Sequence, residues 1–243
     1  MKQSQTLSPR FPHSGKFIFA ERELSAARVL ELLRPFLTAE RQERIRKTVS
    51  GRTCEVVPVL ENIYDRGNIS AVLRSAEAMG YQCAHVIEIG EKFKSANRVT
   101  QGADKWLDVR KWKSTIECTR ELKKLGFHIL ATHLDERAKP IAEMDFTRPT
   151  AIVFGNEKDG ISKEMQAEAD QSIIIPMQGF VQSFNISVAA AISLYHIYME
   201  RMRKLGHQGD LSEVEQEILR ADYSLRSSDN PTKLVTELLD RKA

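Results

Sequence analysis

The sequence predicts an α/β domain: a mostly parallel sheet with helices on both faces, carrying helical extensions before and after it. Three observations point there. From Cys54 to Lys204, short apolar runs alternate with segments of helical period, the order expected of successive βαβ units. The runs are apolar throughout rather than at every second residue, as strands buried on both faces require. The composition, 42% hydrophobic and 28% charged over 243 residues, is that of a globular chain with enough apolar material for one large or two small domains.

Residues 25–49 read as helix broken near Pro35, with Ala26, Val29, Leu30 and Leu33 at helical spacing. Thr38 is the expected N-cap of a second, basic helix running to about Val49. The body then reads as strand Val56–Leu60, helix Asn68–Met79, strand His85–Ile89, strand Leu107–Trp112 and helix Ser114–Leu125. Strands Phe127–Leu134, Ala151–Phe154 and Ser172–Ile175 follow, with helices Ser162–Ala169 and Phe184–Lys204. Two short helices, about Leu211–Tyr223 and Pro231–Arg241, close the chain. The expected organisation is a leader and helical arm over 1–37, a basic helix over 38–53, the α/β body over 54–205 and a helical tail over 206–243.

Several functional classes are excluded. No apolar run approaches the roughly 18 residues that span a bilayer. Cys54, Cys83 and Cys118 are isolated and form no C-x-x-C pair, which argues against a disulfide scaffold or a structural zinc site and for reduced thiols inside a cell. The histidines show no metal spacing, so no metal is expected. No G-x-G-x-x-G follows a strand, and Gly155–Gly160 is followed by Ile161 where a P-loop needs lysine. The net charge of +3 permits a nucleic-acid partner without demanding one. The first twenty residues carry Lys2, Arg10 and Lys16 and no acid. They read as a loose arm or as the remnant of an organelle transit peptide. The expected location is therefore the cytoplasm, or a plastid or mitochondrion if the leader is such a remnant.

Three segments carry the chemistry. The first runs from Glu61-Asn62 through Asn68-Ile69-Ser70-Ala71-Val72-Leu73-Arg74. Arg74 falls about 140° around the helix from Ile69, away from the apolar stripe. The second is Val153-Phe154-Gly155-Asn156-Glu157-Lys158-Asp159-Gly160-Ile161-Ser162, a buried strand ending in a glycine-flanked turn with an acid inside it. Glycines there admit a ligand close to the backbone. The third is Ile174-Ile175-Pro176-Met177, Gln178-Gly179, then Gln182-Ser183-Phe184-Asn185 and a helix opening on small residues. Taken singly, each has an ordinary structural reading: a solvated arginine, a strand–helix turn, a tightly packed helix.

Together, in order and spacing, the three resemble the motifs of the SPOUT superfamily, specifically the SpoU/TrmH branch of RNA ribose 2′-O-methyltransferases, over about residues 39–205. The resemblance implies a C-terminal deep trefoil knot, S-adenosylmethionine as cofactor and a homodimer with its active site at the subunit interface. It assigns catalysis to Arg74 with Asn68, Glu157, Ser183 and Asn185. The cofactor would meet Thr132, Gly155, Glu157, Ile175, Met177 and Phe184, where relatives usually carry leucine at the position of Phe184.

A basic helix ahead of the body, a helical tail behind it, and Gly102-Ala103-Asp104-Lys105-Trp106 make the layout most similar to members that methylate guanosine 18 in the tRNA D-loop. Arg41, Arg44, Arg46, Lys105, Arg201 and Arg203 are candidate phosphate contacts. Ribosomal RNA as the substrate, or an RNA-binding protein without catalysis on the same fold, are the competing readings.

Overall fold

The computed structural model of the protein describes residues 6–89, 103–181 and 183–240. Lys2, Gly102, Gln182 and Arg241, each part of a segment singled out above, lie outside the described residues. The chain divides into two compact units, one of residues 53–208 and one of residues 1–52 with 209–243. The chain opens with β1 (Lys16–Phe19), β2 (Arg22–Ser25), α1 (Ala26–Leu33) and α2 (Ala39–Ser50). The larger unit holds β3 (Val56–Glu61), α3 (Arg66–Ala78), β4 (Cys83–Ile87), β5 (Asp108–Trp112), α4 (Thr115–Lys124) and β6 (His128–Thr132). It continues with β7 (Lys139–Pro140), β8 (Thr150–Phe154), α5 (Lys163–Glu168), β9 (Gln171–Ile174) and α6 (Ile186–Leu205). The chain closes with α7 (Glu213–Arg226) and α8 (Pro231–Asp240).

The smaller unit begins with a feature the sequence reading did not anticipate. Lys16–Phe19 and Arg22–Ser25 pair antiparallel as a hairpin, turned by Ala20 and Glu21, both at positive φ. Such a two-residue turn matches the twist of the strands it joins. The backbone N–H of Ser8 donates to Glu215 Oε1 at 2.7 Å, tying Ser8 to the first turn of α7. Thr38 caps α2 as expected, its side chain accepting from the Arg41 N–H at 3.2 Å. Val29, Leu32 and Leu33 of α1, Ile45 and Val49 of α2, and Ile218 and Leu219 of α7 are buried.

The larger unit is built on seven strands in the order β5-β4-β3-β8-β6-β9-β7, every neighbouring pair parallel. β3, β4 and β8 are buried along their whole length, which explains their unbroken apolar texture. Pro58 is tolerated in β3 because it pairs with Ile152 of β8 before the named pairing to β4 begins at Val59. α3 buries Val72, Leu73 and Ala76, with Ile69 and Met79 packed against the same core, as its stripe predicted. No described helix is long and apolar enough to cross a membrane. Cys54, Cys83 and Cys118 are buried and are not in disulfides.

One buried polar cluster makes stability depend on pH. Nδ1 of His85 on β4 accepts a hydrogen bond from Trp112 Nε1 on β5 at 3.0 Å, and Arg110 lies 4.0 Å over the Trp112 ring. Burial, reinforced by Arg110, pushes the His85 imidazole down to about 4. A pKa held below its unfolded value means that the neutral ring stabilises the fold. That stability is complete above about pH 6.5 and is lost as pH falls towards 4, because the unfolded chain binds a proton that the folded chain refuses. The loss should approach about 3 kcal/mol. Urea titrations between pH 7 and pH 4 should show this slope in the wild type and not in His85→Gln; equal slopes would contradict it.

Candidate functional site

Because all seven strands run parallel, their carboxyl ends share one edge, where ligands of open α/β sheets commonly bind. The three motif segments leave this edge from β3, β8 and β9, and Thr132 ends β6 between the last two. The Oγ1 of Thr132 donates to the Val153 carbonyl at 2.9 Å, tying β6 to β8 just below the edge.

Glu61 fixes the first two segments to each other. It is fully buried at the end of β3. Its Oε1 accepts from Thr115 Oγ1 at 2.6 Å and from Ser162 Oγ at 2.7 Å, and its Oε2 accepts from the Ser162 N–H at 2.9 Å. A buried carboxylate is costly unless its lone pairs are satisfied, and here three neutral donors do so. Ser162 in turn caps α5 through the Met165 N–H at 3.0 Å. The far end of the glycine-flanked turn is therefore anchored to the strand that precedes Asn68.

The turn itself is closed by reciprocal backbone bonds between Asn156 and Gly160, 2.9 and 3.1 Å. Asn156 Oδ1 accepts from the N–H groups of Lys158 and Asp159, at 2.9 and 2.6 Å. Gly160 adopts a φ of 69°, in the left-handed region that favours glycine. Gly155 is required for a different reason. A Cβ there would lie 2.1 Å from the Gly160 carbonyl carbon and 2.3 Å from the Ile161 nitrogen.

Glu157 projects from this turn and bonds to the first segment, which in turn meets the third through Asn68. Its Oε1 accepts from Asn68 Nδ2 at 2.6 Å, and its Oε2 accepts from the Tyr64 backbone N–H at 3.3 Å. Asn68 Oδ1 accepts from Asn185 Nδ2 at 3.4 Å, while Asn185 Oδ1 caps α6 through the Ser187 N–H and Oγ at 2.9 and 2.6 Å. Asn68 is buried, whereas Glu157 and Asn185 are exposed. Residues distant in sequence thus form one polar relay, Asn185 to Asn68 to Glu157.

The other sequence-selected residues lie on the same elements and on the loops that follow them. Arg74 lies on the exposed face of α3 and Ser183 is exposed. Ile175 and Met177 are half-buried, and Phe184 is more than a third exposed. Among the phosphate-contact candidates, Arg41, Arg44 and Lys105 are exposed, Lys105 sitting 5.5 Å over the Trp106 ring. Arg46 and Arg203 are exposed but paired, with Glu43 and Glu200. Arg201 leaves the candidate set. It is 1% exposed, and its Nη1 donates to the Phe146 carbonyl at 2.9 Å, so it ties α6 to the segment before β8. The sequence alone assigns no role to Glu61 or to Tyr64. The available signals were an acid ending an apolar strand and an aromatic ring in a polar loop.

Comparison with known proteins places this arrangement. The family model described as SpoU rRNA Methylase family matches residues 55–195, more than half of the chain. The chain is 37% identical over 182 residues to the tRNA (guanosine(18)-2'-O)-methyltransferase of Escherichia coli, covering 74% of this chain and 80% of that protein. It is 39% identical over 166 residues to the enzyme of the same name from Thermus thermophilus, covering 68% of this chain and 86% of that one. The crystal structure of the A. aeolicus TrmH/SpoU tRNA modifying enzyme superposes with a TM-score of 0.67 at 34% identity, over 76% of this chain and 95% of that one. With its all-parallel sheet and its motifs gathered at one edge, the chain belongs to the SpoU methylase family.

Proposed function

We propose that the protein is an S-adenosylmethionine-dependent RNA 2′-O-methyltransferase that acts on the ribose of guanosine 18 in the tRNA D-loop. The observation that carries this reading is the Asn185–Asn68–Glu157 relay, which joins all three motif segments at the carboxyl edge of the sheet. Relatives bearing the guanosine-18 name support the choice of substrate.

The cofactor's donor set fits. Gly155 lets the end of β8 pack directly on the backbone of Gly160 and Ile161, which sets the shape of the turn that would border the cofactor. Ile175, Met177 and Phe184 offer apolar surface for an adenosyl group, and Thr132 and Glu157 offer polar contacts. When bound, S-adenosylmethionine supplies an electrophilic methyl group.

The chain's own residues then orient and activate the ribose hydroxyl. That hydroxyl must lose its proton at or near the transition state. A guanidinium is a poor base, with a pKa above about 12. Arg74 therefore holds the hydroxyl against an adjacent substrate phosphate and stabilises the developing alkoxide, while the proton, made strongly acidic as the new C–O bond forms, passes to an oxygen of that phosphate. Glu157 accepts from Asn68 and from the Tyr64 N–H, and so holds the turn, the loop after β3 and α3 together around the reacting groups. Ser183 and Asn185 position the ribose and the loop that carries Phe184.

The interleaving of the sheet supports a knotted C-terminal portion, because β8 enters between β3 and β6, and β9 between β6 and β7. An exposed apolar stripe on α6, formed by Val188, Ile192, Tyr195 and Met199, supports a homodimer. On this reading residues 54–205 form the catalytic domain, and exposed Arg41, Arg44 and Lys105 contact tRNA phosphates. The site of action is a cytoplasmic or organellar RNA pool.

The test is transfer of labelled methyl from S-adenosylmethionine to unmodified tRNA and to ribosomal RNA fragments. Labelling of tRNA supports the proposal. Labelling of ribosomal RNA alone keeps the chemistry and moves the substrate, and the family description gives that outcome its own support. No labelling of either contradicts the proposal.

A further inference from the structure

We propose that Tyr64 is the stacking platform for the target nucleobase, a role that rests on the RNA methyltransferase reading above. Tyr64 occupies the short loop between β3 and α3, beside the polar relay. Its backbone N–H donates to Glu157 Oε2 at 3.3 Å, and its hydroxyl makes a long bond to Asp159 Oδ2 at 3.5 Å. The residue is thus anchored at both ends to the turn that carries Glu157, yet it is 51% exposed.

The mount is rigid. Asn62, two residues earlier, adopts a φ of 52°, and its Oδ1 accepts from the Ile89 N–H at 2.9 Å. Asp65, the next residue, caps α3 by accepting from the Gly67 N–H at 2.7 Å. An apolar ring held in place and left open to solvent next to an active site is suited to a planar partner. The reaction supplies one. A nucleotide in a folded RNA loop must be turned out of its stack before its 2′-hydroxyl can be aligned, and that costs unstacking energy. Stacking on an aromatic side chain offsets the cost, and it fixes the base while the ribose meets Arg74.

The experiment compares wild type, Tyr64→Phe, Tyr64→Leu and Tyr64→Ala in steady-state methylation of tRNA. It also follows the fluorescence of tRNA carrying 2-aminopurine at position 18. Tyr64→Ala and Tyr64→Leu should raise KM for tRNA by at least about tenfold, with Tyr64→Phe staying within about twofold of wild type. Binding of S-adenosylhomocysteine should be unchanged in all three, as a merely structural defect would not leave it. On binding, a turned-out 2-aminopurine should brighten in Tyr64→Ala and Tyr64→Leu, whereas wild type and Tyr64→Phe should keep it quenched by the ring. Wild-type KM and quenching in Tyr64→Leu would overturn the role of Tyr64 while leaving the methyltransferase reading intact. A wild-type protein that methylates no RNA would overturn both.

Discussion

Arg74→Ala is expected to lose methyl transfer by about a thousandfold or more, the upper range for removing one donor to a developing oxyanion. The loss should fall on kcat. Arg74 is exposed on α3 and contributes nothing to the buried stripe of Val72, Leu73 and Ala76, so folding should change by no more than about 0.5 kcal/mol. It also lies outside the set Thr132, Gly155, Ile175 and Met177, so affinity for S-adenosylhomocysteine should stay within about twofold of wild type. Arg74→Lys keeps the charge but not the planar fork, and should recover only part of the rate. Calorimetry and single-turnover methylation on the same preparations separate these effects. An alanine variant that turns over at the wild-type rate would remove Arg74 from the mechanism.

Gly155→Ala is expected to damage both cofactor binding and stability, through geometry alone. The added methyl would meet the Gly160 carbonyl carbon and oxygen and the Ile161 nitrogen at 2.1, 2.4 and 2.3 Å. All three are backbone atoms, so no rotamer change relieves the contact. The turn must open, breaking the Asn156–Gly160 bonds and moving Glu157 from Asn68. Overpacking of this kind costs about 1–3 kcal/mol or more. S-adenosylhomocysteine affinity should fall at least about tenfold, since displaced donors and lost shape act together. Denaturant midpoints and calorimetry measure the two effects. Wild-type affinity in this variant would show that the turn is not part of the cofactor site.

Much of the fold is legible in the sequence because it is locally encoded. Thr38 and Asn185 announce helix starts by their capping chemistry, and the structure uses both in that way. The buried strands announce themselves by continuous apolar runs. The hairpin of β1 and β2 is hidden because its turn is Ala20-Glu21, which lacks the glycine or asparagine that positive φ usually demands. β7 is two residues long, one of them proline, and offers no pattern to read. The strand order is non-local, and no periodicity reveals that β8 and β9 insert between earlier strands.

The site divides in the same way. Asn68, Glu157 and Asn185 stand out through motif spacing, and the structure brings them together. Glu61 does not, because the partners of its carboxylate lie 54 and 101 residues away. Arg201 misleads because an arginine on a helix reads as solvated, whereas its long stem lets the guanidinium reach a buried carbonyl.

The most direct measurement maps the methyl group. Purified protein is incubated with S-adenosylmethionine and unmodified tRNA transcript, the RNA is digested, and each fragment is weighed by mass spectrometry. The expected result is one added methyl group on the D-loop fragment, recovered as 2′-O-methylguanosine from position 18. Methylation on a base, at another ribose, or on no fragment at all would contradict the proposed reaction.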